Sequence, residues 1–280
     1  MKYLDLTVLF HDSMPSRIYL SILHQNGYCP KKIIYLKFKR GTKYNIAKKI
    51  IGERLLNKII EKRKSKFIDT NFANIFLEKF NLSWELLNKD IKAYSKEYVE
   101  VDVSNLQDQN LIDYLSNEET KTFLFTDGGI LRKELLSIKD SKFIHIHPGI
   151  VPDVKGADGL FWSYLLRGKA GYSCFYMNEG IDTGDILHKD EYQLHKFKNF
   201  DFDKYEKEEL YRYMLHYYDP CFKAQTLVNL IKKSEQSNQE LNQLNYEVQN
   251  PNEGRTYFFM HEKLRNFTIN KILEETCSEK

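Results

Sequence analysis

The chain has 280 residues, 42% of them hydrophobic, with 18 Phe and 19 Tyr; that is ample material for a packed core and excludes disordered and fibrous classes. At roughly 150 residues per domain, this length suits two units or one large unit with an appendage. The net charge of +3 is uneven, because residues 31–66 hold 14 Lys or Arg against two acids while residues 195–280 hold 13 bases and 14 acids.

Residues 6–10 read as a first buried strand. The apolar stretch around them carries Asp5 and no small-residue cleavage site follows, so it is not read as a signal peptide. Ser13 caps a helix that Pro15 starts, expected over 16–24 and ending at Gly27. A second strand is expected at 33–36. Ile46, Ile50, Ile51, Leu55, Leu56, Ile59 and Ile60 form one apolar stripe with lysines on the other face, which predicts a helix over 46–63. Its basic face reads first as a solvated surface. The alternatives are nucleic acid, a phosphorylated ligand or an anionic membrane face.

A further helix is expected over 70–92, a strand over 98–103, a helix over 107–115 and a strand over 123–125. A short helix over 131–137 and a strand over 143–147 follow. This alternation predicts an α/β fold, a Rossmann-like and mostly parallel sheet with flanking helices. Past residue 190 the pattern changes to charged helices over 204–217 and 221–235, a polar stretch, a strand at 257–259 and a last helix from about residue 261. A boundary is therefore expected near 190, between a catalytic domain (1–190) and a small C-terminal α+β subdomain (191–280) for acceptor binding or dimerisation. Neither GxGxxG nor GxxxxGK[ST] follows the first strand, so a dinucleotide site or P-loop is not expected. The four cysteines contain no CxxC pair, as in a reduced, cytoplasmic protein, and no run is long and apolar enough for a membrane helix.

In open parallel sheets, ligands bind at the carboxyl ends of the strands. Three such ends carry chemistry here. The first is Thr126-Asp127-Gly128-Gly129-Ile130-Leu131, where two glycines let a ligand approach the backbone. The second runs from Phe143 to Gly159, with His145 and His147 on one face of a strand because side chains alternate with period two. The third is the acidic turn Gly180-Ile181-Asp182-Thr183-Gly184. If the last two meet, two imidazoles and a carboxylate converge. That set suits proton transfer and oxyanion stabilisation, with a two-His, one-carboxylate metal site as the lesser alternative.

His145-Ile146-His147-Pro148-Gly149-Ile150-Val151-Pro152, then Lys155-Gly156-Ala157, then Gly180-Ile181-Asp182-Thr183-Gly184 resemble the signature of the 10-formyltetrahydrofolate-dependent formyltransferases. The clear resemblance covers about 120–190. His145 stands where the family has Asn, Gly149 where it has Ser, and Lys155 where it has Arg. The resemblance implies a catalytic trio of His145, His147 and Asp182. Folate would lie against Asp127, Gly128, Gly129, Ile130, Leu131, Gly180 and Ile181, and the acceptor against Lys155, Gly156 and Ala157. The implied co-substrate is 10-formyltetrahydrofolate, the acceptor is a primary amine, and no metal is required. His147 would stabilise the developing oxyanion or shuttle the amine proton, His145 would be a second donor, and Asp182 would orient His147 and accept the proton.

In size and single appended module the chain most resembles the sugar N-formyltransferases. That resemblance implies a nucleotide-linked amino sugar as acceptor, a role in polysaccharide biosynthesis and compatibility with a homodimer. The near-neutral tail argues against tRNA or another nucleic acid. Tail aromatics such as Tyr211, Tyr257 and Phe258 are candidates for stacking on a base or sugar. Two alternatives stay open: a catalytically impaired folate-fold binding protein, and a metal-dependent hydrolase using the His-x-His pair.

Overall fold

The computed structural model describes residues 1–39, 42–56, 58–59, 69–126, 129–197, 200–250 and 252–277. Strand β1 (Lys2–Phe10) runs through the centre of the molecule, with Leu6, Val8 and Leu9 fully buried. Helix α1 (Met14–Gln25) begins as expected: the Ser13 hydroxyl accepts the Ser16 N–H and Pro15 sits in the first turn. It leads into β2 (Tyr28–Phe38), parallel to β1.

Helix α2 (Thr42–Ile51) is shorter than the helix expected over 46–63, part of which lies outside the described residues. Among the stripe positions whose side chains are described, Ile50, Ile51, Leu55 and Ile59 are exposed and Leu56 is buried. The expected helix over 70–92 is broken into α3 (Thr70–Leu77), α4 (Trp84–Leu87) and short turns. Asn81 takes a left-handed conformation, and Ser83 and Asp90 start new turns by accepting the N–H groups of Leu86 and Lys92. Apolar spacing alone does not register these caps.

Strand β3 (Glu97–Val103), helix α5 (Gln109–Ser116), β4 (Thr122–Phe125), α6 (Lys133–Leu136) and β5 (Lys142–His147) follow. Then come β6 (Val154–Gly156), α7 (Gly159–Arg167) and the hairpin pair β7 (Ala170–Tyr176) and β8 (Asp185–Tyr192). The sheet order is β3-β2-β1-β4-β5-β7-β8. The first five strands are parallel, and β7 and β8 are antiparallel additions. The fold is thus a mostly parallel α/β sheet with flanking helices.

Past residue 190 lie α8 (Lys207–Tyr213), a π-helical turn at 214–218, α9 (Asp219–Ser237), β9 (Arg255–Tyr257) and α10 (Glu262–Cys277). Phe197, Tyr218, Phe222, Ile231 and Ile269 belong to the same buried cluster as Leu6, Val8, Ile146 and Cys174. Continuous apolar packing therefore crosses residue 190. Strand β9 pairs with β6 in parallel. Among the described lysines of the basic segment, Lys32 meets Glu118 at 2.8 Å and Glu97 at 3.0 Å, and Lys37 meets Glu100 at 2.9 Å.

Candidate functional site

The site forms where the parallel part of the sheet ends. Strand β1 lies between β2 and β4, so the crossovers diverge between β1 and β4, and the candidate site lies next to that point, beyond the carboxyl ends of β4 and β5. Strand β5 carries His145 and His147 to this edge, while the alternate residues Ile144 and Ile146 are fully buried.

His147 is 3% exposed, and both ring nitrogens face protein oxygen atoms. Nε2 lies 3.1 Å from the Val154 carbonyl, and Nδ1 lies 3.4 Å from Asp182 Oδ2. The same Asp182 oxygen accepts the Gly156 N–H at 2.7 Å. Burial lowers the pKa of His147, and the Asp182 carboxylate opposes that shift.

Side-chain hydrogen bonds hold both loops. Asn178 Oδ1 accepts from the Gly180 N–H and the Thr183 hydroxyl, which shapes the turn that carries Asp182. Asp182 itself is left-handed, with φ 53°. Ser173 on β7 donates to the Gly149 carbonyl at 2.7 Å and accepts the Val151 N–H at 3.1 Å. A methyl group on Gly149 would stand 2.6 Å from His147 Nε2 and 2.4 Å from the Val154 carbonyl. The ring and the loop thus occupy the space that the family's Ser would need.

His145 is half-buried between the rings of Phe125 and Phe175. Its Nδ1 lies 3.2 Å from the Phe125 carbonyl at the end of β4. Burial drives its pKa down to about 4, against the pull of Asp182. The ring lines a cavity of about 90 Å³ together with Leu131, Phe175, Met177 and Asp182. Gly129, Ile130, Asn178, Gly180 and Ile181 complete its lining.

The structure therefore brings together His145, Asp182 and the expected folate-side residues 129–131, 180 and 181, with His147 behind Asp182. Asp127 and Gly128 lie outside the described residues. Lys155, Gly156 and Ala157 make other contacts. Lys155 is 4% exposed and its ammonium donates to the Glu253 carbonyl. The Gly156 N–H is used by Asp182, and the Ala157 N–H by the Tyr257 carbonyl. The cause is the β6–β9 pairing, which turns this segment toward the tail.

Sequence reasoning missed Gln249. Its buried amide donates to the carbonyls of Asp182 and Gly184. Nothing local marks this residue, which sits in a polar stretch 67 residues from Asp182. Among the tail aromatics, Tyr213, Tyr217 and Tyr218 are core, Tyr211 donates to Asp158, and Phe258 and Phe259 are exposed. A roomier hollow of about 590 Å³ beside the end of α1 is lined by Lys79, Phe80, Tyr192, His195 and Phe222 among others. Among its described lining residues there is one imidazole and no carboxylate, whereas the smaller cavity pairs an imidazole with a carboxylate. No group of three or more His, Cys, Asp or Glu among the described residues is arranged to hold a metal ion. Among the same residues no helix is long and apolar enough to cross a membrane.

Among curated proteins, the methionyl-tRNA formyltransferase of Syntrophus aciditrophicus is 37% identical over 75 residues, 26% of this chain and 24% of that protein. The protein of the same name from Clostridioides difficile is 39% identical over 69 residues, 24% of this chain and 22% of that one. The matched part thus spans about a quarter of the length of these relatives. Among solved structures, a sugar N-formyltransferase from a Shewanella species aligns over 96% of this chain and 86% of its own, with 13% identity and a TM-score of 0.44. An N-formyltransferase from Helicobacter canadensis, in complex with folinic acid and dTDP-3-aminofucose, aligns over 96% and 81%, with 11% identity and a TM-score of 0.46. The family model described as formyl transferase matches residues 57–207, more than half of the chain. That stretch holds β5, both histidines and the Asp182 turn, and by this match the chain belongs to the formyl transferase family.

Proposed function

We propose that the protein moves a formyl group from 10-formyltetrahydrofolate to a primary amine. The observation that carries this reading is the single cavity on which His145 and Asp182 converge, with the carboxylate fixed from behind by His147 and the Gly156 N–H. About 90 Å³ is below the roughly 300–1,000 Å³ of small-molecule sites, so the cavity takes the reacting end of the donor and the remainder lies toward its mouth. Leu131, Phe175 and Met177 offer apolar surface to a flat ring, and the backbone at Gly129 and Ile130 offers polar edges. The donor supplies an activated formyl carbon. Asp182 holds a carboxylate oxygen at the wall, and Oδ1 has no hydrogen-bond partner among the described residues.

For the acceptor we propose a nucleotide-linked amino sugar. Residues 195–280 hold 13 bases against 14 acids, and a tRNA partner calls for clustered cations that release counterions. The names of the curated relatives favour a second reading, transfer to methionyl-tRNA. The segment after residue 190 is assigned to acceptor binding or dimerisation, a role to which the exposed Phe258, Phe259 and Phe267 are suited. The test is incubation with 10-formyltetrahydrofolate and either a panel of dTDP- and UDP-linked amino sugars or methionyl-tRNA. A mass gain of one formyl group on a sugar nucleotide is the expected outcome. Formylation of the tRNA alone would select the second reading. No transfer and no folate binding would sink both.

A further inference from the structure

We propose that His145 Nε2 takes the proton of the attacking amine and returns it to the departing nitrogen of the donor. This rests on the formyl-transfer reading of the site and names the base within it. It reverses the role that the resemblance implied for His145, which was donation to the formyl oxygen.

The argument starts at Phe125. Its backbone carbonyl can only accept, and it lies 3.2 Å from His145 Nδ1, so Nδ1 carries the hydrogen. A neutral imidazole has one N–H, and Nε2 is therefore a bare lone pair. No described residue hydrogen-bonds to Nε2, and the ring stands on the cavity wall with Asp182. An asparagine at this position could donate to an oxyanion but could not take up a proton. A histidine in this tautomer does the opposite.

The charged groups acting on the ring come from three elements: Asp182 from the turn before β8, Lys223 from α9 and His147 from β5 itself. Strand β4 contributes the Phe125 carbonyl, and β7 the uncharged Phe175. Burial outweighs the Asp182 carboxylate, so the ring is neutral at neutral pH and ready to accept. Asp182 then faces the imidazolium while it exists. His147 offers neither nitrogen to the cavity: Nε2 faces the Val154 carbonyl and Nδ1 faces Asp182.

The bonds balance without another reactant. The amine lone pair forms the new C–N bond to the formyl carbon, and the carbonyl π pair moves onto oxygen. His145 removes one proton from the attacking nitrogen. As the π pair re-forms, the bond to the donor nitrogen breaks and its pair stays on that nitrogen. His145 delivers the proton there and returns to the neutral state. The products are a formamide and tetrahydrofolate.

Two measurements on the full-length chain test this. The first is ¹⁵N NMR of the histidine-labelled, ligand-free protein, with the His145 signals assigned by their loss in His145→Asn. A neutral ring protonated at Nδ1 at pH 7 is expected. A ring protonated at Nε2, or an imidazolium, overturns the proposal. The second is transfer by His145→Asn with 10-formyltetrahydrofolate and the amino-sugar nucleotides. A fall in kcat/KM of about 100- to 10,000-fold is expected for loss of a general base. Activity within about threefold of the wild type overturns the proposal, because an amide donor would then suffice. If His145→Asn does not fold, the His145 signals are assigned instead by loss in His145→Gln or by through-bond correlations in the wild type, and the first measurement still decides. A wild type that formylates no amine defeats the formyl-transfer reading itself. An active wild type with the Nε2–H tautomer defeats only the base.

Discussion

His145 and His147 are two residues apart and differ in what their nitrogens face. His147 is enclosed by the Val154 carbonyl and Asp182, whereas His145 has one nitrogen held by Phe125 and lies on the cavity wall. Both have pKa values below the ordinary 6.5, with burial the largest cause in each case. The sign for stability follows from linkage. Below pH 6.5 the unfolded chain binds protons on these rings that the folded chain refuses, so stability is fully present above about 6.5 and declines toward about 4. The melting temperature should fall between pH 7 and about pH 4.5, and by less in His145→Asn. A melting temperature that rises on acidification, or an equal loss in the variant, would contradict this account. Period two and the flanking apolar residues made the histidine pair legible in the sequence, and the glycine-bounded acidic turn did the same for Asp182. The His145 tautomer was not legible, because it depends on a carbonyl 20 residues away on another strand. The contact of Lys155 was not legible for a similar reason: its ammonium is engaged by the Glu253 carbonyl, 98 residues on.

At the scale of elements, buried strands read well and a helix interrupted by internal caps did not. Strands β1, β4 and β5 carry dense apolar runs, and their ends moved by only a few residues from expectation. The stripe around Ile50 and Leu55 has helical spacing but stands exposed, so periodicity identified a face without identifying what it faces. Strand β6 was not anticipated. It is three residues long and exists only through its pairing with β9, about 100 residues later. Gly156 is where this pairing meets the site. Its φ is 95°, and a methyl group there would lie 2.1 Å from the Tyr257 carbonyl. Gly156→Ala should therefore lower stability by about 2–3 kcal/mol through backbone strain and overpacking, measured by urea unfolding. It should also weaken turnover, because the N–H that fixes Asp182 moves with it. An alanine variant of unchanged stability and rate would show that β6–β9 does not support the carboxylate.

At the scale of the whole molecule, the composition change near residue 190 marks a change of surface and not a gap in packing. Phe197, Phe222 and Ile269 share one buried cluster with β1 and β5. Unfolding in urea should therefore be a single transition by both fluorescence and far-UV circular dichroism. A chain ending at residue 190 should not fold, and one ending at 244 should lose Gln249, β9 and α10 together and bind no folate. A soluble, cooperatively folded 1–190 fragment would overturn this description. The α/β class was legible because alternating strands and helices leave a repeating apolar signature. The merging of the tail into the core was not, because its buried aromatics are interspersed with enough charge to resemble a separate module.

Between Glu247 and Met260 the chain is stitched to the site repeatedly: Glu247 to Ile186, Gln249 to Asp182 and Gly184, Glu253 to Lys155, Tyr257 to Ala157, and Met260 to Asp158. Most of these knots use main-chain atoms, so they depend on the path of the tail more than on its side chains. A tail exchanged wholesale to recruit a new acceptor would also re-aim the acid. Grafts that keep 247–260 and vary only what lies beyond could alter selectivity while leaving the chemistry aligned.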